Sequence, residues 1–399
     1  MINKNKLKKS ILFFCKIKYN IYTTYKNHSN LIKLRLIFNI YRQNARKFKL
    51  VNLIYLINKK KVRIHKNLVV SLKSEPDNFD QLKSFIFKAT PGDTIALIPN
   101  TNYYGNLIIK NDINGNPGIH GTPDNYISII GDSTSSIISP DINLSYVFYI
   151  ENSSYIFIGN NSNLKSFGIG FNLTNAQKGF YANNCNNIIF KNLNVYNIGY
   201  EGVHFMNNSY SCDILNNYIY DTGKTNNGYG EGIYIGSAFS NWLIDNNGNL
   251  IPDETKKINI KFNYVINTTA ECLDIKEGTS DSLVEGNYFF GNKLSNDNYA
   301  DSWIDIKGSS WNIKNNTLEI TLTNGIEIKG IKTGDIVTNS GNDNTIDGNF
   351  MNCEINELGE PCSGYGVIIL ENTYGNKVFS NNLCFNAIGG LCNIVPLPQ

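Results

Sequence analysis

The feature that most constrains this chain is a short pattern that returns along much of its length. From residue 146 onward, an aliphatic or aromatic residue, two variable residues and an asparagine recur eight times. The copies read FIGN, IFKN, ILNN, IKFN, VEGN, IKNN, IDGN and VFSN, and they end at Asn160, Asn192, Asn217, Asn263, Asn287, Asn316, Asn349 and Asn381. Successive asparagines are 24 to 46 residues apart. A repeat on this scale indicates stacked structural units that bury their apolar faces against one another.

The repeated units have the character of strands. Stretches such as INIKFNYVIN (258–267) and SWIDIKG (302–308) are short, β-branched and alternating in polarity, with Gly and Asn between them. The long 3.6-residue periodicity of a helical solenoid is missing from the sequence. Asparagine recurring at one register is predicted to form an internal ladder of side-chain amides. The sequence therefore predicts an all-β domain over residues 71–399, a parallel β-helix of roughly eight to ten coils.

The stretch from about residue 80 to residue 390 resembles the right-handed, single-stranded parallel β-helix of pectin-lyase-like proteins. The segment GDTIALIPNTNYYGNLII (92–109) is similar to the part of such proteins that leads into the first coil. The superfamily is dominated by extracellular proteins that cleave or bind acidic polysaccharides. The resemblance therefore implies a right-handed helix and a function on carbohydrates, although a shared fold indicates an activity only weakly.

A second repeated strand aligns over six coils as KGFYAN (178–183), EGVHFM (201–206), EGIYIG (231–236), ECLDIK (271–276), SWIDIK (302–307) and NGIEIK (324–329). Its third and fifth positions are mostly apolar and are predicted to point inward, which leaves positions four and six to face solvent. Position four reads Tyr181, His204, Tyr234, Asp274, Asp305 and Glu327. Position six ends in Lys276, Lys307 and Lys329, and position one carries Glu201, Glu231 and Glu271.

Stacked about 4.8 Å apart, these columns are predicted to form a continuous strip. Aromatic rings lie at one end, and carboxylates and ammonium groups lie at the other. Aromatic rings offer sugar rings an apolar platform, and lysines attract uronate carboxylates. We therefore predict an extended cleft for an acidic polysaccharide, with His204, Tyr234, Asp305 and Lys329 as substrate-binding residues.

The stretch AECLDIKEG (270–278) has Glu271 and Lys276 at a spacing similar to that of polysaccharide lyases of the chondroitinase B and alginate lyase type. The resemblance implies that Glu271 is a calcium ligand and that Lys276 is the base that removes a proton. Glu231, one coil earlier in the same column, and Asp274 are predicted as further ligands, because Ca²⁺ takes several oxygen donors. In β-elimination a divalent cation stabilises the charge that builds beside the uronate carboxylate.

The lysine column bears on how Lys276 would work as a base. We expect repulsion from Lys307 and Lys329 to lower the pKa of Lys276, since like charges disfavour the protonated form. Asp274 and Asp305 oppose this effect unless calcium occupies them.

The sequence departs from the resembled lyases at one point. Those lyases also use an arginine, but all four arginines of this chain lie within residues 1–70. Protonation of the leaving group would therefore have to fall to Lys307, Tyr234 or His204, or be absent, and Lys307 is taken as the second catalytic residue.

Other interpretations of the strip stay open. The carboxylates and lysines could form a solvated ion-pair ladder, in which case the chain would be a non-catalytic glycan-binding protein or surface adhesin. Hydrolysis by Asp274 and Asp305 is a less favoured reaction. Convergence of Glu231, Glu271 and Asp274 on one point would favour the enzyme, and carboxylates each paired with a lysine would favour the ladder.

The cysteines bear on the cellular compartment. Cys353 and Cys362, and Cys384 and Cys392, are close enough in sequence to close loops at the C-terminal end. Disulfides there would indicate an oxidising compartment, so we expect a secreted or cell-surface protein although no signal peptide is recognisable.

Charge divides the chain in two. Residues 1–70 contain 18 of the 36 Lys and Arg residues and no acidic residue, so the rest of the chain is strongly acidic. The basic segment is interpreted as a surface-binding arm, as a degenerate targeting segment, or as a stretch outside the mature protein, and no function is assigned to it. Its apolar runs are too short for a membrane span. The acidic body opposes nucleic-acid binding, and we expect a monomer.

Overall fold

The computed structural model describes residues 73–162, 167–333, 336–337, 340–356 and 358–399. The predictions about residues 1–70 therefore fall outside the described part of the chain. The described part is nearly all β-structure, and its three long sheets form a right-handed parallel β-helix, as predicted. Each full coil visits the second sheet, the first sheet and the third sheet in turn.

The three sheets are defined by their strands. The first sheet contains β1 (Lys73–Ser74), β2 (Thr94–Ala96), β5 (Ile127–Ile130), β8 (Ser154–Gly159), β11 (Asn186–Lys191), β14 (Asp213–Leu215), β19 (Asn259–Lys261), β22 (Leu283–Glu285), β25 (Asn312–Lys314), β30 (Thr345–Asp347) and β33 (Lys377–Val378). The second sheet contains β4 (Leu107–Ile109), β7 (Tyr146–Glu151), β10 (Lys178–Asn183), β13 (Val203–Met206), β16 (Ile233–Ile235), β21 (Leu273–Ile275), β24 (Ile304–Ile306), β27 (Ile326–Ile328) and β32 (Val367–Ile369). The third sheet contains β3 (Asn102–Tyr104), β6 (Ser136–Ile138), β9 (Asn172–Thr174), β12 (Asn194–Tyr196), β15 (Tyr218–Tyr220), β20 (Tyr264–Ile266), β23 (Tyr288–Phe290), β26 (Thr317–Glu319), β31 (Phe350–Asn352) and β34 (Leu383–Phe385).

Smaller elements decorate this frame. Two antiparallel pairs are formed by β17 (Leu243–Ile244) with β18 (Leu250–Ile251) and by β28 (Lys332–Thr333) with β29 (Ile336–Val337). Short 3₁₀ turns cover Asn227–Tyr229, Phe239–Asn241 and Asp297–Tyr299. Helix α1 (Phe79–Phe87) buries Leu82 and Ile86 in the same core as the inward side chains of the coils. None of the described helices is long and apolar enough to cross a membrane.

The predicted asparagine ladder is present, with a corrected membership. Its rungs are Asn217, Asn263, Asn287, Asn316, Asn349 and Asn382, and each amide donates 2.9 Å to the Oδ1 of the next rung. Asn192 is not a rung, because strand pairing sets Lys191 opposite Leu215 and therefore Leu193 opposite Asn217. The last rung is Asn382 and not Asn381. The ladder satisfies buried amides that would otherwise cost free energy.

The outer face of the third sheet carries stacked aromatic rings. Tyr196 and Tyr220 stack with ring centroids 5.0 Å apart and planes at 7°. Tyr264 and Tyr288 stack 4.6 Å apart at 8°. Because these rings cover one another's faces, they stabilise the stack of coils.

The predicted disulfides are not formed. All seven described cysteines are free thiols. The thiol of Cys353 interacts with those of both Cys362 and Cys384, and its sulfur lies 3.9 Å from the sulfur of Cys384 on a neighbouring coil. A disulfide needs about 2.05 Å, and Cys392 donates to the carbonyl of Ile394.

Candidate functional site

The second sheet stacks the six aligned stretches in the predicted register. The strand pairs set these position-four residues opposite one another in the order Tyr181, His204, Tyr234, Asp274, Asp305 and Glu327. The third and fifth positions, such as Ile304 and Ile306, are fully buried in the core. The alignment made from sequence is confirmed, and it brings the candidate residues onto one outer strip.

The expectation that position four faces solvent is wrong for most of the strip. Tyr181, His204, Asp274 and Asp305 are only 9%, 4%, 3% and 4% exposed. These side chains point away from the apolar core, but the stacking of coils about 4.8 Å apart packs them against their own neighbours. The strip is therefore a layer of polar groups largely excluded from water.

Two aspartates bridge three lysines in the second half of the strip. Asp274 contacts Lys276 at 2.5 Å and Lys307 at 3.0 Å. Asp305 contacts Lys307 at 2.5 Å and Lys329 at 2.8 Å. Each of the three predicted lysines is thus paired, which is the arrangement expected of an ion-pair ladder.

The predicted effect on Lys276 is reversed in the structure. Burial alone would lower the pKa of Lys276, but the contact with Asp274 outweighs it and raises that pKa above the ordinary value. The pKa of Lys307 is raised for the same reasons, with Asp274 and Asp305 as its partners. Attraction to carboxylates a hydrogen bond away therefore exceeds the repulsion between lysines on neighbouring coils.

Three carboxylates converge beside this lattice. Glu231, Glu271 and Asp274 each bring an oxygen within 4.8 Å of the other two, and all three side chains are buried. Burial, together with the charges of Glu201 and Asp274, raises the pKa of Glu231 to about 8. Burial also raises the pKa of Glu271 well above its usual range.

These carboxylates fit a divalent cation. Calcium takes carboxylate oxygens, and Oε2 of Glu231 is buried with no hydrogen-bond partner among the described residues. Burial alone would raise the pKa of Asp274, but Lys276 and Lys307 lower it to about 2, so this carboxylate stays charged. The cluster thus contains one permanently charged carboxylate and two that a cation would stabilise in the charged form.

The other half of the strip holds the aromatic rings and His204. The rings of His204 and Tyr234 lie 4.3 Å apart, and Nζ of Lys276 lies 4.8 Å from the centre of the Tyr234 ring. Nε2 of His204 lies 2.8 Å from the carbonyl oxygen of Gly236. Burial lowers the pKa of His204, so the imidazole is neutral at physiological pH.

Sequence reasoning missed Lys178. Its Nζ lies 3.0 Å from Oε1 of Glu201, which is also 3.6 Å from Nδ1 of His204. Burial alone would raise the pKa of Glu201, but His204 and Lys178 lower it to about 2. The alignment already contained the signal, because Lys178 opens the row above Glu201 in the column of position one.

Comparison with known proteins supports the fold and a lyase-like architecture. No described protein family matches the sequence, and no curated protein matches it. The crystal structure of alginate lyase from Paenibacillus sp. str. FPU-7 is similar at a TM-score of 0.67 and 25% identity, covering 82% of this chain and 99% of that one. Pectate lyase Pel9A is similar at a TM-score of 0.48 and 14% identity, covering 78% of each chain. The chain therefore resembles parallel β-helix polysaccharide lyases, as the sequence predicted.

Proposed function

We propose that this protein is a calcium-assisted polysaccharide lyase that acts by β-elimination on a uronate-containing polymer. The observation that carries the proposal is the position of Lys276, which lies in contact with Asp274 at the point where Glu231 and Glu271 converge. A buried base beside a cluster of oxygen donors is the set of groups that elimination next to a carboxylate requires. The likeness to an alginate lyase supports a lyase whose substrate contains uronates.

Lys276 is the proposed base, and its neighbours determine when it can act. Elimination breaks the bond from hydrogen to the carbon beside the uronate carboxylate and the bond to the leaving oxygen, and a carbon–carbon double bond forms. Lys276 accepts the proton only as a neutral amine, whereas Asp274 keeps it charged. Glu231, Glu271 and Asp274 would hold the calcium ion, which when bound supplies positive charge that stabilises the developing anion. Where Asp274 no longer contacts Lys276, the pKa of Lys276 would fall, and the ammonium group would lose its proton to water before it acts as the base.

Proton delivery to the leaving oxygen is assigned to Lys307. Asp274 and Asp305 keep Lys307 protonated, so it has a proton to give. Tyr234 also stays protonated, because burial raises its pKa well above the ordinary value, and it is the alternative donor. Lys329, Asp305 and His204 complete the proposed substrate-binding strip. Hydrolysis by Asp274 and Asp305 is the less favoured reaction, because both carboxylates are already engaged in contacts with lysines.

The setting follows from the same chemistry. We propose a secreted or cell-surface protein, because acidic polysaccharides of this kind lie outside the cell. The acidic domain after residue 70 disfavours nucleic acid as a partner. We propose that the protein acts as a monomer.

One observation favours a non-catalytic alternative. Lys276, Lys307 and Lys329 are each paired with Asp274 or Asp305, as in a structural ion-pair ladder. In that case the strip would bind a glycan without cleaving it. Convergence of the carboxylates and pairing of the lysines are both present, so an activity measurement has to separate the two functions.

The test uses the full-length protein with pectate, alginate, chondroitin and rhamnogalacturonan, with added calcium or with a chelator. Elimination creates a 4,5-unsaturated end that absorbs ultraviolet light. We expect a calcium-dependent rise in absorbance on at least one polymer. Folded protein that is silent on all four would contradict the proposal. New reducing ends without absorbance would indicate hydrolysis.

A further inference from the structure

The longest interval of the asparagine repeat contains an insertion, residues 236–258, which lies beside the strip and is called the wall. Between β16 and β19 the chain runs through residues 236–258, which contain a 3₁₀ turn and the β17–β18 hairpin. The equivalent connection between β10 and β11 needs only residues 184 and 185. The insertion therefore adds a 3₁₀ turn and a hairpin at the edge of the second sheet where Lys276 lies, and it is longer than the connection between β27 and β30, which carries the β28–β29 pair.

Buried carboxylates fix the base of this insertion. Asp253 accepts hydrogen bonds from the backbone amides of Asn207 at 2.8 Å, Asn208 at 2.9 Å and Thr255 at 3.1 Å. On the other limb, Glu277 accepts from the amide of Phe239 at 2.6 Å. Groups buried and bonded in this way hold the wall in one position relative to the coils.

A cleft of about 310 Å³ lies between the wall and the coils, which is within the size range of small-molecule sites. One side is apolar and consists of Trp242, Leu243, Ile251 and Pro252. The other side is polar and consists of Glu151, Asn152, Asn183, Asn184, Asn207, Asn208 and Asp253. An apolar face opposite a row of amides matches a sugar ring, which has one face of C–H groups and hydroxyls at its edge.

The charge of the cleft distinguishes it from the lysine lattice. No lysine, arginine or histidine lines it among the described residues, and its two charged groups are acidic. Lys110 lies 3.9 Å from Glu151 and offsets that charge without lining the cleft. A uronate carboxylate would enter without a cationic partner and at a cost in desolvation. The cleft therefore suits an uncharged sugar unit.

The cleft is adjacent to the candidate site. Glu151 pairs with Asn183 on neighbouring strands, and Asn183 pairs with Met206. The next position in that column is Gly236. A Cβ atom placed there would lie 3.4 Å from Cβ of Lys276 and 3.9 Å from Oδ2 of Asp253. A polymer bound at Lys276 would therefore have its neighbouring sugar units beside the cleft.

We infer that the cleft binds a neutral sugar unit, and that the substrate is a mixed polysaccharide in which uronates alternate with uncharged sugars. The inference rests on the proposed function, since the lysine lattice takes the uronate of the same chain. On this inference Trp242 and Leu243 determine substrate specificity, and a polymer made of uronates alone is a poorer substrate.

Calorimetric binding to full-length Lys276→Ala protein, which is expected not to turn the ligand over, tests the inference with two probes. One probe is a hexasaccharide of uronates only, and the other alternates uronate with N-acetylhexosamine. We expect the alternating probe to bind about tenfold more tightly, and Trp242→Ala to remove that advantage. Trp242→Phe is the matched control and should keep most of it. Thermal melting shows whether each variant is folded.

A second variant keeps the test independent of tryptophan packing. Leu243 is 70% exposed, so Leu243→Lys should fold, and the added cation should tighten binding of the uronate-only probe. Equal binding of both probes, unaffected by either substitution, or no binding of either probe, would overturn the inference. Lyase activity of the wild type is measured separately. Equal binding of the two probes, with an active wild type, would overturn the inference and leave the proposed lyase function intact. Selective binding of the alternating probe, with an inactive wild type, would support the sugar-binding cleft and contradict the lyase function.

Discussion

The outer faces of the second and third sheets are built by the same coils at the same spacing, yet they differ in how their groups are satisfied. On the third sheet, tyrosines such as Tyr264 and Tyr288 stack on one another within the column. On the second sheet and beside it, several buried polar atoms lack a partner among the described residues: Oε2 of Glu201, Oε2 of Glu231 and Oδ1 of Asp305.

This difference indicates that one face stabilises the fold and that the other binds ligands. Buried polar groups in proteins are nearly always hydrogen-bonded, because leaving one unpaired costs about 1–3 kcal/mol. A face that leaves several of these groups unpaired loses stability unless a ligand supplies their missing partners. The aromatic face therefore holds the coils together, and the polar strip is the face that we expect to bind cation and substrate.

The largest expected effect on stability follows removal of the carboxylate at the centre of the strip. Asp274→Asn leaves Lys276 and Lys307 without one of their buried partners. We expect a loss of about 3–5 kcal/mol in the free energy of unfolding, since breaking a buried pair strands a charge. Chemical denaturation measures it. A loss below 1 kcal/mol would contradict this expectation and would mean that water or a rearrangement of side chains supplies new partners for the lysines.

The next effect depends on pH and concerns Glu201. Its folded pKa of about 2 lies below the ordinary value of 4.5, so its contribution is complete above pH 4.5 and is lost as the pH falls toward 2. The shift corresponds to about 3 kcal/mol. Glu201→Gln should therefore be less stable than wild type by that amount at pH 6, and the difference should shrink toward pH 3. A difference that does not change with pH would contradict this account.

A smaller effect is expected on the aromatic face. Tyr264→Ala removes a ring that stacks on Tyr288 and contacts Tyr218. We expect a loss of about 2 kcal/mol, with Tyr264→Phe near wild type, because the stacking does not need the hydroxyl. Thermal denaturation of the three proteins measures it. Loss of stability in the phenylalanine variant would show that the hydroxyl, and not the ring, carries the contact.

The smallest effect is expected at an ion pair outside both faces. Glu285 on the first sheet lies 3.2 Å from Lys261 and 3.3 Å from Lys314, and all three side chains are partly exposed. Glu285→Gln should change stability by less than about 1 kcal/mol, as is usual for exposed pairs. It serves as the control for Asp274→Asn, since both remove a carboxylate that bridges two lysines. Similar losses in the two variants would contradict the claim that burial distinguishes the strip.

The register of the strip could be predicted from sequence, because alternation places Ile304 and Ile306 inward and so fixes which residues share a column. The burial of His204 and Asp305 could not be predicted, because it arises from packing between coils. The pKa of Lys276 was predicted in the wrong direction for a related reason. The columns give spacing between lysines, but the hydrogen bond to Asp274 depends on side-chain conformation. The cleft depends on how residues 236–258 fold, which no repeat specifies.

The comparison of the two faces is tested most directly by the activity of two variants on one substrate. Lys276→Ala alters the polar strip, and Tyr264→Ala alters the aromatic face. On whichever polymer the wild type cleaves, we predict that Lys276→Ala lowers the rate of formation of unsaturated ends at least about 100-fold while Tyr264→Ala leaves it within about twofold. Retained activity in Lys276→Ala, or equal losses in both variants, would contradict the assignment of the site.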